Sequence, residues 1–212
     1  RRGDLHVTAS YTWSKVLTDA STSITDPEDL DDRAFNYGPA TFDRRHVFVG
    51  TFTWRMPWLR ERGGWLGASL GGWDVSGIAR LQSGPLLTVT ANTAIGMRRA
   101  DYTAGPIALP AAERTSDRYF NTDAFARPPD DRRGTAAVGT VQSPGLQLLD
   151  LSIRKAVPAG RRVTMQFQVD VFNALNQINY LGLNTDVTNP AFGSLSSAAP
   201  ARNLQIGTRI TF

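Results

Sequence analysis

Val163-Thr164-Met165-Gln166-Phe167-Gln168-Val169-Asp170-Val171 sets an apolar residue at every odd position and a polar one at every even position. Successive side chains of a β-strand point to opposite faces, so this period of two predicts a strand with one oily and one wet face, within Arg162 to Phe172. Five more segments repeat it. Leu5 to Val16 opposes Leu5, Val7, Ala9, Tyr11 and Trp13 to His6, Thr8, Ser10, Thr12 and Ser14. Arg45 to Met56 opposes Phe48, Gly50, Phe52 and Trp54 to Thr51, Thr53 and Arg55, with Val47 and Val49 blurring its start. Trp73 to Gln82 follows the same rule apart from Ile78, and so do Gln147 to Ala156 and Arg202 to Phe212. The expected fold is all-β, an antiparallel meander of about six long strands.

Each segment has about the 9 to 11 residues that a tilted strand needs to cross a bilayer, more than the five or six usual in soluble sheets. The connections alternate in size. Leu17 to Arg44, Gly84 to Leu146 and Asn173 to Ala201 are long, whereas Pro57 to Gly72 and the turn at Pro158-Ala159-Gly160 are short. Outer-membrane barrels have this asymmetry, with short periplasmic turns and long exterior loops. The polar faces are built from Thr, Ser, Gln and Asn, and Lys occurs only at Lys15 and Lys155. Such a face suits a watery or plugged lumen, which leaves the apolar face to lipid. Arg80, Arg154, Asp170 and Arg209 then become lumen charges, expected to form inter-strand ion pairs. Trp54, Trp58, Trp65 and Trp73 bracket the short connection, where a periplasmic aromatic girdle is expected. A soluble or cell-surface β-sandwich binding module is the alternative.

Composition narrows the classes. With 212 residues, a formal charge of +4 and no cysteine, the chain has neither a disulfide framework nor a thiolate metal site. Mean hydropathy is -0.26 and no apolar run reaches a helical span, which excludes membrane helices only. The chain begins at Arg1 without an initiator Met, and is expected to be part of a longer protein.

The last strand carries Gln205, Gly207, Ile210 and Phe212 at the spacing polar-x-Gly-x-x-apolar-x-aromatic. This resembles the terminal signal by which the barrel-assembly machinery recognises outer-membrane barrels. Seven stretches extend the likeness: Tyr11-Thr12-Trp13-Ser14-Lys15, Phe42-Asp43-Arg44-Arg45-His46, Gly71 to Gly77, Leu81-Gln82-Ser83-Gly84, Tyr119 to Phe125, Asp150-Leu151-Ser152-Ile153 and Phe172-Asn173-Ala174-Leu175-Asn176. In this order they resemble the C-terminal barrel region of TonB-dependent receptors of the Oar-like type, large proteins often fronted by a carboxypeptidase-regulatory-like domain. The resemblance implies a barrel of about 22 strands around a plug, with residues 1–212 as the C-terminal part of the wall. It also implies energy from TonB through a part not present here, and the chain's own plug as a partner.

Other chemistries are weak. Gly67-Ala68-Ser69-Leu70-Gly71 matches a nucleophile elbow, but a strand follows it instead of a helix, and both His6 and His46 precede Ser69. Phosphate-loop and dinucleotide fingerprints are absent, so no enzyme, cofactor or metal is expected. Asp26, Glu28, Asp29, Asp31 and Asp32 offer hard oxygens for calcium without an EF-hand glycine, and are expected to form a solvated exterior loop. The small charge and interleaved acids argue against nucleic acid. Arg98, Arg99, Arg132 and Arg133 are instead candidates for lipopolysaccharide phosphates.

Overall fold

The computed structural model describes residues 5–20, 28–29, 31–58, 64–160 and 162–212, and within these not the side chains of Trp65 and Ala68. Its main element is one six-stranded antiparallel sheet in sequence order. The strands are β1 (Leu5–Trp13), β2 (His46–Arg55), β3 (Trp73–Gln82), β4 (Leu146–Pro158), β5 (Thr164–Phe172) and β6 (Asn203–Thr211). Every long connection leaves one end of this wall and every short one leaves the other. The remaining sheets of the described residues have two strands each, so nothing forms the second layer that a β-sandwich requires.

Register carries the alternation across the whole wall. Leu5, Trp54, Val75, Ile153, Val169 and Ile206 stand directly opposite one another from β1 to β6. Val7, Phe52, Gly77, Leu151, Val171 and Leu204 form the next row of the same face. Between them lies His6, Thr53, Ser76, Ser152, Asp170 and Gln205, on the opposite face. One face is thus continuously apolar and the other mostly polar. A single-residue slip in any strand would invert its contribution.

The rows also climb. Counted from the first row, the long-loop end of β1 is eight residues away at Trp13, but that of β6 is three residues away at Asn203. Five strand-to-strand steps therefore shift the register by five residues, an average of one per step, most of it between β4 and β5. At about 3.3 Å per residue along a strand and about 4.8 Å between strands, one residue per step is a tilt of about 35°. That is the slant a sheet takes when it curls into a transmembrane barrel.

The long connections are not the solvated loops expected from their polarity. They fold into one lobe on the long-loop end of the wall, and the apolar core of the molecule lies there. Val89, Ala100, Phe120, Ala124, Phe125, Ala136, Val141 and Leu183 are buried together. Phe120, Phe125 and Phe192 meet edge to face, with centroids 5.3 to 6.5 Å apart. Backbone bonds knit the third connection to the last, including Tyr119 N to Gly193 O, Leu195 N to Ser116 O and Val187 N to Thr90 O.

A two-faced wall with a folded lobe and a braced rim

Asparagines join wall to lobe. Asn179 accepts from Gln147 N at 2.7 Å and donates back to Gln147 O at 2.9 Å, so its side chain replaces one rung of a partner strand at the start of β4. Asn173 ends β5 in the left-handed region, φ 50°, where Asn is tolerated better than most residues. Its N–H donates to Asp150 Oδ1 at 2.8 Å, and its side chain bridges Gln177 and Pro200. Asn173 and Asp150 each lie in a stretch that carried the family resemblance, which gives those stretches a mechanical role.

Charges of the acidic segment are turned inward. Glu28 receives the Arg99 Nε–H at 3.2 Å, with the two side chains 13% and 9% exposed, and Arg133 pairs with Asp29, itself buried. The Arg99 guanidinium lies 3.5 Å from the Phe35 ring centroid, and Arg133 lies 5.3 Å from the same ring. Burial lowers the Arg99 pKa while Glu28 opposes that shift, and arginine keeps its proton. Arg132 grips both oxygens of Asp101 at 2.8 and 2.6 Å. Those bonds are the main cause holding the Asp101 carboxyl below its ordinary value, with further help from Thr135. One correction follows: Glu28 and Asp29 serve as ion-pair partners inside the lobe instead of forming a solvated loop. Arg99, Arg132 and Arg133 each pair with a protein carboxylate, and the Arg132 and Arg133 side chains remain half-exposed. Arg98 is half-buried in the hairpin Thr90–Thr93/Gly96–Arg99. Asp26 lies outside the described residues; among those described, no cluster of three or more His, Cys, Asp or Glu side chains is placed to hold a metal ion.

On the wall, Arg80, Arg154, Asp170 and Arg209 all occupy the polar-face register. The inter-strand ion pairs expected of them are not formed among the described residues. Asp170 accepts from Gln168 Nε2 at 2.7 and 2.9 Å, and Arg154 Nε donates to Ser152 Oγ at 3.3 Å. The charge pair of that face is Arg55 with Asp74, at 3.9 Å and open to solvent, because these residues oppose each other directly in β2 and β3.

At the short-turn rim, Trp54 meets Trp58 edge to face at 5.3 Å, and Trp73 lies beneath the Lys155 ammonium at 5.1 Å. Trp65 belongs to a helix, Gly64–Leu70, that the period of two could not reveal; its side chain lies outside the described residues. The G-x-S-x-G segment closes that helix at Gly71 and β3 follows from Trp73, the reverse of the strand-turn-helix order an elbow needs. His6 and His46 are on opposite faces of the wall, and His46 Nδ1 bonds the Tyr11 hydroxyl at 2.7 Å. Lys155 falls on the apolar face and is nonetheless buried, its Nζ donating to Ser69 O at 3.0 Å and Gly71 O at 2.6 Å. Sequence reading passed over it, although a cation in phase with Ile153 and Leu151 requires a buried partner.

Gln205, Gly207 and Ile210 lie on β6, an outer strand of the sheet, and Phe212 follows it with 96% of its surface exposed. Gln205 and Gly207 take the polar phase, Ile210 the apolar one, opposite Met165. The outer edges of β1 and β6 carry no partner strand among the described residues.

A family model described as an outer membrane beta barrel domain covers residues 1–205. No curated protein and no solved structure matches.

Proposed function

This chain belongs to the outer membrane beta barrel domain family, and from that premise we propose that it forms part of the barrel of a TonB-dependent receptor, taking part in substrate binding and uptake. It lies in the outer membrane, its six strands spanning the bilayer. The observation that carries the finer reading is the single lobe over the long-loop end. A receptor needs a shaped surface at the mouth of its conduit, and two long connections packed around Phe120, Phe125 and Phe192, with the first tied to them by Glu28–Arg99 and Asp29–Arg133, supply one. Support also comes from where the Oar-like stretches fall. Phe42 to His46, Leu81 to Gly84 and Phe172 to Asn176 occupy joints between wall and lobe, Asp150 to Ile153 lies within β4, where Asp150 receives the Asn173 N–H, and Tyr119 to Phe125 supplies part of the lobe core.

In this reading the polar face, with Arg80, Arg154, Asp170 and Arg209, lines the conduit and meets the plug or the permeant. The apolar face meets lipid, the lobe faces the exterior, and β6 with Phe212 after it is presented to the barrel-assembly machinery. The chain performs no catalysis and carries no cofactor. Six strands are fewer than the roughly eight of the smallest bacterial barrels, so further strands and the plug come from elsewhere in the protein. The test is site-specific photocrosslinking of the full-length protein to TonB in living cells, with a known receptor as control. A TonB adduct that depends on the energised inner membrane is expected. Absence of the adduct while the control crosslinks would overturn the TonB assignment and leave the barrel intact.

A further inference from the structure

The connection at the short-turn end does not hang below the wall. Trp73 and Lys155 oppose each other at the rim of β3 and β4, and both belong to the apolar register, in phase with Val75 and Ile153. Both side chains reach the same carbonyl: Trp73 Nε1 donates to Ser69 O at 3.2 Å and Lys155 Nζ donates to it at 3.0 Å, with Gly71 O as the second Lys155 acceptor. The C-terminal end of helix Gly64–Leu70 is therefore held over the lipid-facing side of the barrel. Helix carbonyls left over at a C-terminus carry partial negative charge, and an ammonium is their natural partner. That pairing gives the Lys155 Nζ its polar partners on a face that otherwise shows Leu149, Leu151 and Ile153.

The depth follows from β4 itself. Along its apolar phase run Gln147, Leu149, Leu151, Ile153, Lys155 and, at the strand's end, Val157, so Gln147 and Lys155 bound a purely apolar middle. Eight residues separate Gln147 from Lys155, and at a tilt of about 35° they span about 22 Å along the membrane normal, close to the roughly 25 Å apolar band of such barrels. Lys155 thus marks a hydrocarbon boundary, and the helix it holds lies at that level. Trp58 and Leu70, 63% and 56% exposed, are the apolar surface this segment offers outward.

We propose that helix Gly64–Leu70 is an interfacial foot, clamped by Lys155 and Trp73 onto the outside of the barrel and bedded in the phospholipid headgroup layer at the short-turn end. The occupant is a glycerophospholipid surface, assigned by continuity with the lipid-facing wall. Trp58 and Leu70 enter the boundary between headgroups and acyl chains, where an amphipathic segment lying in the membrane plane is most stable. The foot fixes how deep the barrel sits, because rising or sinking would drag it into water or hydrocarbon. This rests on outer-membrane barrel membership and is independent of any coupling to TonB.

The test is depth-resolved fluorescence quenching. The full-length protein, with Leu70→Cys as its single thiol, is labelled with an environment-sensitive dye and reconstituted into phosphatidylethanolamine/phosphatidylglycerol vesicles. These vesicles carry nitroxides at the headgroup, at acyl carbon 5 or at acyl carbon 12. Ile206→Cys on the apolar face serves as the deep reference and Met97→Cys on the lobe hairpin as the aqueous one, both exposed on the wall and lobe respectively. Headgroup and carbon-5 nitroxides are expected to quench the Leu70 label several-fold more than carbon 12, with little quenching by iodide. A Leu70 profile matching Met97→Cys, or one matching Ile206→Cys, would overturn the foot. Lys155→Met, in a barrel that still shows heat-modifiable migration, is expected to release the label to iodide; an unchanged profile would overturn the clamp.

Discussion

The ring of Phe52 lies across Gly77 of the neighbouring strand, so closely that a Cβ added to Gly77 would stand 2.5 Å from the ring's Cε1 and 2.8 Å from Leu151 Cδ2. The three residues share one row of the apolar face. Glycine here provides lateral room: it lets an aromatic from β2 cover the bare backbone of β3, a known remedy for glycine in sheets. Gly77→Val forces Phe52 off its site, at about 1 to 3 kcal/mol for overpacking. The barrel of this variant is expected to lose its heat-modifiable migration at a lower temperature than the parent, with Gly77→Ala falling between.

Arg99→Met should free the first long connection. It strands Glu28 in a site where its side chain is only 13% exposed, at about 3 kcal/mol or more for breaking a buried pair. Limited proteolysis within residues 14–45 of the folded full-length protein is expected to accelerate. The double change Arg99→Met with Glu28→Gln should recover part of the protection, since no carboxylate is then left unpaired.

Acid should loosen the lobe before the wall. Asp101, gripped by Arg132, has a folded value lowered from 3.8, and Asp130, bonded by Ala94 N–H and then Arg127, is lowered too. Asp19, bonded by Arg33, behaves likewise. A lowered carboxyl stabilises the folded form at pH above its unfolded value and loses that contribution as pH falls through its folded one. Hydrogen-exchange protection factors of residues 97–104 and 130–136 are expected to hold from pH 7 to about pH 5, and to fall below about pH 4 while the β4 and β5 amides keep theirs.

Phe212→Asp should cut the amount of protein in the outer membrane several-fold, and Phe212→Ala by less. Phe212 makes almost no contact with the rest of the chain, so folded-state packing does not account for such a loss. The proposed recognition of the outer strand during assembly would account for it. Membrane fractionation against a co-expressed barrel measures it, and equal levels for all three forms would refute the role.

The wall was legible because its code is local. Each residue states its face by its parity, and Val163 to Val171 already contains the rule that places Gly77 beside Phe52. The lobe was not, since its core is collected from Val89, Ala100, Phe120, Ala136 and Leu183, separated in sequence and following no period. Acidic and arginine-rich stretches looked like solvated surface for the same reason: Glu28 finds Arg99 and Asp29 finds Arg133 only after the connections fold. Lys155 is intermediate. Its parity was readable, but the carbonyls that accept from it belong to a helix too short to leave a periodic mark.

The climb across the wall, one residue per strand on average, makes it a spiral staircase, and a staircase tolerates editing differently from a level floor. Adding one residue within β3 turns its remaining steps inside out, sending Arg80 toward hydrocarbon and Leu81 toward water, whereas adding two preserves every face and only alters the pitch. In the lobe, where position is set by packing, the same edits change reach without changing sides. Insertions and deletions that survive selection in such a chain should therefore come in even lengths in the strands and in any length between Gly84 and Leu146.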